Sequence, residues 1–500
     1  MSAIQQRASV SLGHLFPAAK LTKGGIIAHS VCTAADKVQP GDLFVGVLSA
    51  DGDSHEDAVE AAQNGAIAVL TERLLPVKVP QCIVPDTREA LGRVCQALAG
   101  NPCDQLRTIA VVGTRGKTVV SILIAAMLEA AGEAVGVLSS IGLSDSREQI
   151  VTPCSTPRAP KLAHWLQRMT AAGCQSAVVE LSSRALAERR AAGMEFDAVV
   201  VTNLKRSENQ WHGSEENVRR ANLRSLEMLK AGGFAVFNAD DVDSEQALVN
   251  VDLPVLTFGM IGEAQVTATV IERCSSEQTF LLQAGNETIP VRTAIIGDQH
   301  VMNCLAATAT GLALGMDLQT IVRGLEAVKY VPGRMQRVEC GQQFNVFVDN
   351  ARSPEALAAS LRTLRQAGTG RIICVMGCPG GKHKEQRPRI GHVLDRMTQL
   401  SIITSDDPRH EQPLQIAHDI LDGHERPHLT HTLPNRAKAI EFALSQARPG
   451  DTVIIAGKGD RRTQRVGSGM QEHDDCEVVR KWLYSQNTPV KTWPQLRIFR

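Results

Sequence analysis

From Thr108 onward, short β-branched runs alternate with segments of helical period: TIAVV, then TVVSILIAAMLEAAG, SAVVELS, DAVVVTN and FAVFN. Runs without polar alternation belong to strands buried on both faces, so this rhythm predicts a parallel sheet with crossover helices. Near Val255 the pattern changes to TATVIE, TFLLQA and TIPVRTAI, spaced too closely for intervening helices, which predicts a small antiparallel patch. Helix-period sequence returns from Val301 to Leu314. The stretch YVPGRMQRVECGQQ, with Pro332, Gly333 and Gly341, reads as a connection between domains. A second alternating series follows in FNVFVDN, RIICVMG, LSIITSD and DTVIIAG, separated by helical stretches such as PEALAASLRTLRQAG. That series predicts a separate Rossmann-like domain. QPGDLFVGV and GAIAVL, around EDAVEAAQN, suffice for a third, smaller α/β unit near the start. The expected division is 1-105, 106-335 and 336-500, all of α/β class.

Composition narrows the partners. The 500 residues carry 53 Lys+Arg against 53 Asp+Glu, so the basic surface that drives sequence-independent nucleic-acid binding is not expected. Hydrophobic residues at 43% exclude wholesale disorder, and aromatics at 3% fit α/β layers better than an aromatic-rich sandwich. The longest apolar runs, such as Ile122 to Met127, fall far short of the ~20 residues that span a bilayer, so no membrane insertion is expected. The N-terminal apolar stretch is broken by Gly13 and His14 and makes a poor signal peptide. Twelve cysteines without any CxxC pair read as reduced thiols, which fits a cytoplasmic protein.

The sharpest local chemistry is Gly113-Thr114-Arg115-Gly116-Lys117-Thr118, between the strand TIAVV and a strongly amphipathic helix. Glycines let backbone amides turn inward around phosphate oxygens, and the helix N-terminus adds partial positive charge. Lys117 can reach terminal phosphates, and the Thr118 hydroxyl can hold Mg²⁺. Ala110 stands where the longer Walker pattern has its first glycine, so the match is to a shorter variant. Glu180, ending the run SAVVE, is a candidate Mg²⁺ ligand, because carboxylates at strand C-termini beside such loops organise the metal.

With these motifs in place the chain resembles the Mur ligases, and within them the type that adds the third amino acid to UDP-N-acetylmuramoyl-alanyl-glutamate. The resemblance runs through KVQPGDLFVGV, GTRGKT, STP, VVELSS, FDAVVVTNL, WHG, FNAD, YVPGRMQRVE, PEAL, IICVMGC, SDDPR, RPGDTVIIAGKG and HDDCEV, in the family's order. It implies three domains, with a central P-loop parallel-sheet domain and a C-terminal Rossmann-like domain. The implied reaction is ATP-dependent amide formation: the γ-phosphoryl passes to a substrate carboxylate, and an amino acid's amine attacks the acyl phosphate. ATP and Mg²⁺ are the implied cofactors, the UDP-N-acetylmuramoyl-dipeptide and an amino acid the other small-molecule partners, and a monomer is expected. The resemblance places Gly113 to Thr118, Asn303, Arg334 and Asp349 on ATP, and Thr118, Glu180 and Glu208 on the metal. Ser155, Thr156, Ser182 and Arg190 fall on the UDP-muramoyl-peptide side, and Asp406, Asp407, Arg409, Gly457 and Arg461 on the amino-acid side.

Several positions depart from the family's pattern. Its SRDHLDYHG reads Lys205-Arg206-Ser207-Glu208-Asn209-Gln210-Trp211-His212-Gly213, so a metal-binding histidine becomes Glu208, whose carboxylate can still ligate Mg²⁺. The lysine that is carbamylated in the family aligns with Asn222, which carries no charge. DYAHTP becomes Asp349-Asn350-Ala351-Arg352-Ser353-Pro354, SSH becomes Ser182-Ser183-Arg184, and the uridine-side SR falls at Ala35 and Asp36. Arg409, in Asp406-Asp407-Pro408-Arg409, favours a diacid substrate, because a guanidinium forks onto carboxylate. The glutamate of GKGHE, which binds a distal ammonium, reads Arg461, which would repel that ammonium unless Asp460 takes over. Two readings follow: an active amide ligase, or a catalytically impaired paralogue that binds nucleotide or precursor in a regulatory or scaffolding role. A third, an ATPase acting on an unrelated carboxylate, rests on the phosphate loop alone.

Overall fold

The apolar runs form the strands of three largely parallel sheets. The computed structural model describes residues 9–49, 52–152, 155–204, 212–248 and 252–487. The chain divides into two compact units, the first comprising 1–269, 281–289 and 302–327, the second 270–280, 290–301 and 328–500.

In the first unit, a five-stranded sheet has the order Lys20–Leu21, Gln81–Ile83, Ala68–Thr71, Leu43–Val45, Val31–Cys32. Its pairs are parallel except at the Lys20–Leu21 edge. The helix Thr87–Leu98 begins at Asp86, whose carboxylate accepts from the amides of Arg88 and Glu89, satisfying two of the orphan donors of the first turn. Gly92 on that helix lies so close to Ala192 that a Cβ would sit 2.6 Å from its carbonyl oxygen.

At the centre of the larger sheet lies Arg107–Val112, between Ser176–Glu180 and Phe196–Val201, all parallel. Val135–Ser139 and Leu229–Asn238 extend the sheet on either side. Ile109, Ala110, Val111 and Val112 are wholly buried, as expected where helices cover both faces. Leu162, Trp165, Leu166 and Met169 of the helix Ala159–Ala172 pack with Ala110, Val112, Ala177 and Val179 on one face. Beyond Leu229–Asn238, Val255–Gly259 is parallel, and Phe258 and Gly259 pair in parallel with Val266 and Thr267. The closely spaced strands are Val266–Arg273, Gln278–Ala284 and Glu287–Thr293. The last two are joined by Gly285-Asn286 alone, a link that permits only a hairpin.

The second unit holds a six-stranded sheet in the order Gln336–Arg337, Asn345–Asp349, Thr452–Ala456, Ile372–Met376, Leu400–Ile403, Thr430–Thr432. Side chains alternate between two cores, as the strand period of two requires. Phe347, Cys374, Met376, Ile454 and Ala456 face one, while Val346, Val348, Ile373, Val375, Val453 and Ile455 face the other. The presumed connection after Pro332 is partly sheet: Gln336–Arg337 pairs antiparallel with Asn345–Asp349. Because Thr452–Ala456 inserts between Asn345–Asp349 and Ile372–Met376, the winding reverses there, and α/β folds place ligands at the carboxyl ends of strands around such a point.

Candidate active site

The phosphate loop leaves the carboxyl end of Arg107–Val112 and enters the helix Lys117–Ala130. Gly113 has φ +124°, and a Cβ there would lie 2.3 Å from the Thr202 hydroxyl, so both backbone angle and space demand glycine. Thr202 and Asn203, just past the neighbouring strand, brace the loop. The Thr202 hydroxyl donates to the Arg115 carbonyl at 2.7 Å and lies 3.0 Å from the Val112 carbonyl. The Asn203 amide oxygen accepts from the Arg115 N–H at 3.2 Å, and its Nδ2 donates to the Arg115 carbonyl at 3.0 Å. Lys117 curls back, its Nζ donating to the Gly113 carbonyl at 2.8 Å.

Behind the loop three oxygen groups converge. The Thr118 hydroxyl donates to Glu180 Oε2 at 3.0 Å and lies 2.8 Å from the Ser140 hydroxyl. The Ser140 amide donates to the same carboxylate oxygen at 2.9 Å. Glu180 is buried. One carboxylate and two hydroxyls form a hard, oxygen-only donor set, which suits Mg²⁺ shared with phosphate oxygens and water. Among the described residues no group of three or more His, Cys, Asp and Glu is arranged to cage a metal by itself. The third expected ligand, Glu208, lies outside the described residues.

The residues assigned to the muramoyl-peptide side gather beside this cluster. Thr156 donates to the Glu180 carbonyl at 2.9 Å and accepts from the Ser182 amide at 3.0 Å. Arg190 Nη1 donates to the Thr156 carbonyl at 2.7 Å, and Nε to Glu188 at 2.7 Å. Ser182 caps the helix Ser183–Ala187 through the Ala185 amide, and Ser155 precedes Thr156 on the same turn. Burial acts to raise the Glu188 pKa, but Arg184 and Arg190 together hold it below its ordinary value. His212 Nε2 lies 3.0 Å from the Ser183 hydroxyl, and burial lowers its pKa. Asn222 is wholly buried on the helix Glu215–Leu223; its Nδ2 donates to the Val218 carbonyl at 3.0 Å, and its Oδ1 has no hydrogen-bond partner. Asn303 is buried on the helix Asp298–Ala313.

In the second unit Asp349 ends its strand with both carboxylate oxygens engaged, by the Met335 amide at 3.0 Å and the Ser360 hydroxyl at 2.6 Å. Arg334, on the turn that Asp349 holds, donates to Asp460 at 2.8 Å. Of the amino-acid-side residues, Asp406, Asp407, Gly457 and Arg461 converge. The wholly buried Lys458 donates to Asp406 at 3.2 Å and to Asp407 at 2.9 Å. Arg461 donates to the other oxygen of Asp407 at 3.2 Å. Burial would raise the Asp407 pKa, but Lys458, the Arg465 amide and Arg461 hold it below the usual carboxylate value. Gly457 has φ +107°, and a Cβ there would lie 3.0 Å from Asp406 Oδ2. Asp407 and Arg409 take positive φ, 48° and 57°, without being glycine, a strain that accompanies ligand-binding loops. Underneath, the buried Arg436 pairs with Asp475 at 2.8 Å and donates to the Ala456 carbonyl at 3.0 Å, fixing the strand end that leads to Gly457 and Lys458.

A family model described as the Mur ligase middle domain matches residues 111–311, and one described as the Mur ligase glutamate ligase domain matches 333–459. A UDP-N-acetylmuramoyl-L-alanyl-D-glutamate–2,6-diaminopimelate ligase from Geobacillus thermodenitrificans is 34% identical over 452 residues, covering 89% of this chain and 92% of that protein. This chain belongs to the Mur ligase family. A Bacillus cereus protein of the same name is 32% identical over 480 residues, covering 94% of the Mur ligase described here and 97% of its own length. A solved structure of a UDP-N-acetylmuramoyl-L-alanyl-D-glutamate–2,6-diaminopimelate ligase superposes with TM-score 0.70 at 28% identity, over 96% of this chain and 99% of that one. A more distant Mur ligase, MurF from Thermotoga maritima solved in complex with ADP, shares the fold at TM-score 0.60 and 18% identity, over 91% of this chain and 98% of its own. In this Mur ligase, sequence reasoning missed Ser140, Thr202 and Asn203 as parts of the loop's frame. The order TNL directly after a buried strand was the available signal for the last two.

Proposed function

We propose that this protein is an ATP-dependent ligase that joins an amino acid to a UDP-N-acetylmuramoyl-dipeptide through an acyl phosphate. The convergence of Thr118, Ser140 and Glu180 behind the glycine-bounded loop carries the reading, and the named activity of its relatives supplies the substrate class. The proposed domains are 1-105 for the UDP-substrate, 106-335 for ATP and 336-500 for the amino acid, in a cytoplasmic monomer.

Each residue has a defined task. The loop amides from Gly113 to Thr118 and the helix N-terminus hold the triphosphate, and Lys117 exchanges the Gly113 carbonyl for a phosphate oxygen. Asn303, Arg334 and Asp349 complete the nucleotide contacts. Thr118, Glu180 and Glu208 would hold Mg²⁺, which neutralises charge on the transferring phosphoryl when bound. Ser155, Thr156, Ser182 and Arg190 orient the peptide end of the UDP-substrate so that its carboxylate meets the γ-phosphoryl. Asp406, Asp407, Arg409, Gly457 and Arg461 position the incoming amino acid.

ADP release by the purified protein with UDP-N-acetylmuramoyl-alanyl-glutamate and a panel of amino acids tests the reading. Substrate-dependent ADP well above a Lys117→Ala control is expected. Its absence would leave the impaired paralogue as the function.

A further inference from the structure

We infer that Arg352 sets the amino-acid preference of the second unit's pocket by taking a substrate carboxylate on its buried Nη2 edge. The inference rests on the ligase reading and deepens it, naming a substrate class with an extra carboxylate. Arg352 follows the strand Asn345–Asp349, beside the loop leaving Thr452–Ala456 and thus at the reversal of winding. Its Nε donates to the Gly457 carbonyl at 2.7 Å, which fixes the guanidinium plane. Its Nη2 is shut off from solvent and has no hydrogen-bond partner. Burial lowers its pKa to about 10, even with Asp406, Asp407 and Asp460 close by.

Those carboxylates do not satisfy it, because each is engaged elsewhere. Asp406 and Asp407 share Lys458, Asp407 also takes Arg461, and Asp460 takes Arg334. Four cations, Lys458, Arg461, Arg334 and Arg352, thus face three carboxylates. Arg337 and Arg387 also bury an Nε without a partner, but Glu339 pairs with the first, and Glu411 and Asp419 with the second. Arg409, two residues after Asp407, likewise buries an Nε without a hydrogen-bond partner. A guanidinium that buries one donor edge without a partner favours an incoming anion there, and the planar fork suits carboxylate. A distal ammonium meets no such opening, since Asp460 is held by Arg334.

The probes are 2,6-diaminopimelate and lysine, which differ by one carboxylate, with inorganic phosphate and ADP as anion controls. Calorimetry on the full-length protein should show diaminopimelate binding at least ~10-fold tighter than lysine, about the contribution of one charge-assisted hydrogen bond. Arg352→Gln should bring that ratio to within ~2-fold, and Arg352→Lys, which keeps the charge without the fork, should fall between. Unliganded R352Q should also melt higher than the wild type, because it removes a desolvated charge. A ratio unchanged in both variants, no wild-type preference for the diacid, or a loss confined to phosphate or ADP binding would overturn the assignment. If the wild type prefers diaminopimelate through Arg352 yet releases no ADP, the ligase reading fails and this inference stands.

Discussion

Asn222 in the first unit and Arg352 in the second each bury a polar atom without a hydrogen bond, yet the two sites are built differently. Around the phosphate loop, Thr118, Ser140 and Glu180 satisfy one another, and the orphaned Asn222 Oδ1 belongs to a neutral amide. In the second unit the unsatisfied atom carries part of a full positive charge, in a cluster already rich in cations. A neutral orphan costs about 1–3 kcal/mol and can persist, whereas a buried unpaired charge costs more and favours a ligand of opposite sign. The first region is therefore organised around its own side chains, and the second is completed by what it binds.

The largest effect is expected where the first region meets the reacting phosphate. Lys117→Ala removes a cation from the developing charge and should lower the ADP release rate by about 10³-fold. The Tm should hardly move, because Lys117 Nζ donates to the Gly113 and Thr114 carbonyls of the loop itself. A rate within ~10-fold of wild type would mean that the loop does not carry phosphoryl transfer.

The second region should respond most strongly in stability. Asp475→Asn leaves Arg436 charged and buried without its counter-ion, at a cost of about 3–5 kcal/mol measured by chemical unfolding. Burial pushes the Asp475 pKa up, but Arg436 and then His473 overcome this and hold it at about 2. Because that folded pKa lies below the unfolded one, its stabilisation is complete above about pH 4 and fades as the pH falls through 2. The variant should lose this part of the acid dependence; an unchanged acid limb would show that another carboxylate dominates it.

Glu180→Gln keeps an acceptor for the Ser140 amide but removes the charge. A rate loss of about 10²-fold, with a higher Mg²⁺ requirement in the ADP assay, is expected. Full activity at unchanged Mg²⁺ would take Glu180 out of the metal site.

The same contrast explains what could be read from the chain. Gly113 to Thr118 are contiguous and lie between a strand and a helix, so the periodicity exposes them. Glu180 stands at a strand end, where its position alone gives it meaning. Ser140 and Asn203 are common polar residues that join the loop from 22 and 88 positions away, so only the folded sheet reveals them. Arg352 was visible as a departure from the family's motif, but its missing partner depends on where Lys458, Arg461 and Arg334 spend the nearby carboxylates. Gln336–Arg337 was read as linker because a two-residue edge strand is too short to show alternation.

The smallest effect tests the contrast itself. Asn222→Leu preserves the branched shape at Cγ while replacing the orphaned oxygen and its amide by methyl groups, and leucine is the better helix former. The helix Glu215–Leu223 should gain about 1 kcal/mol, seen as a small rise in Tm. R352Q should raise the unliganded Tm by more, because it removes a charge as well as an unmet donor. A destabilised N222L would reveal a hidden partner for Oδ1. If N222L instead stabilised the protein more than R352Q, charge would not be what separates the two regions, and the ligand dependence assigned to the second would lose its physical basis.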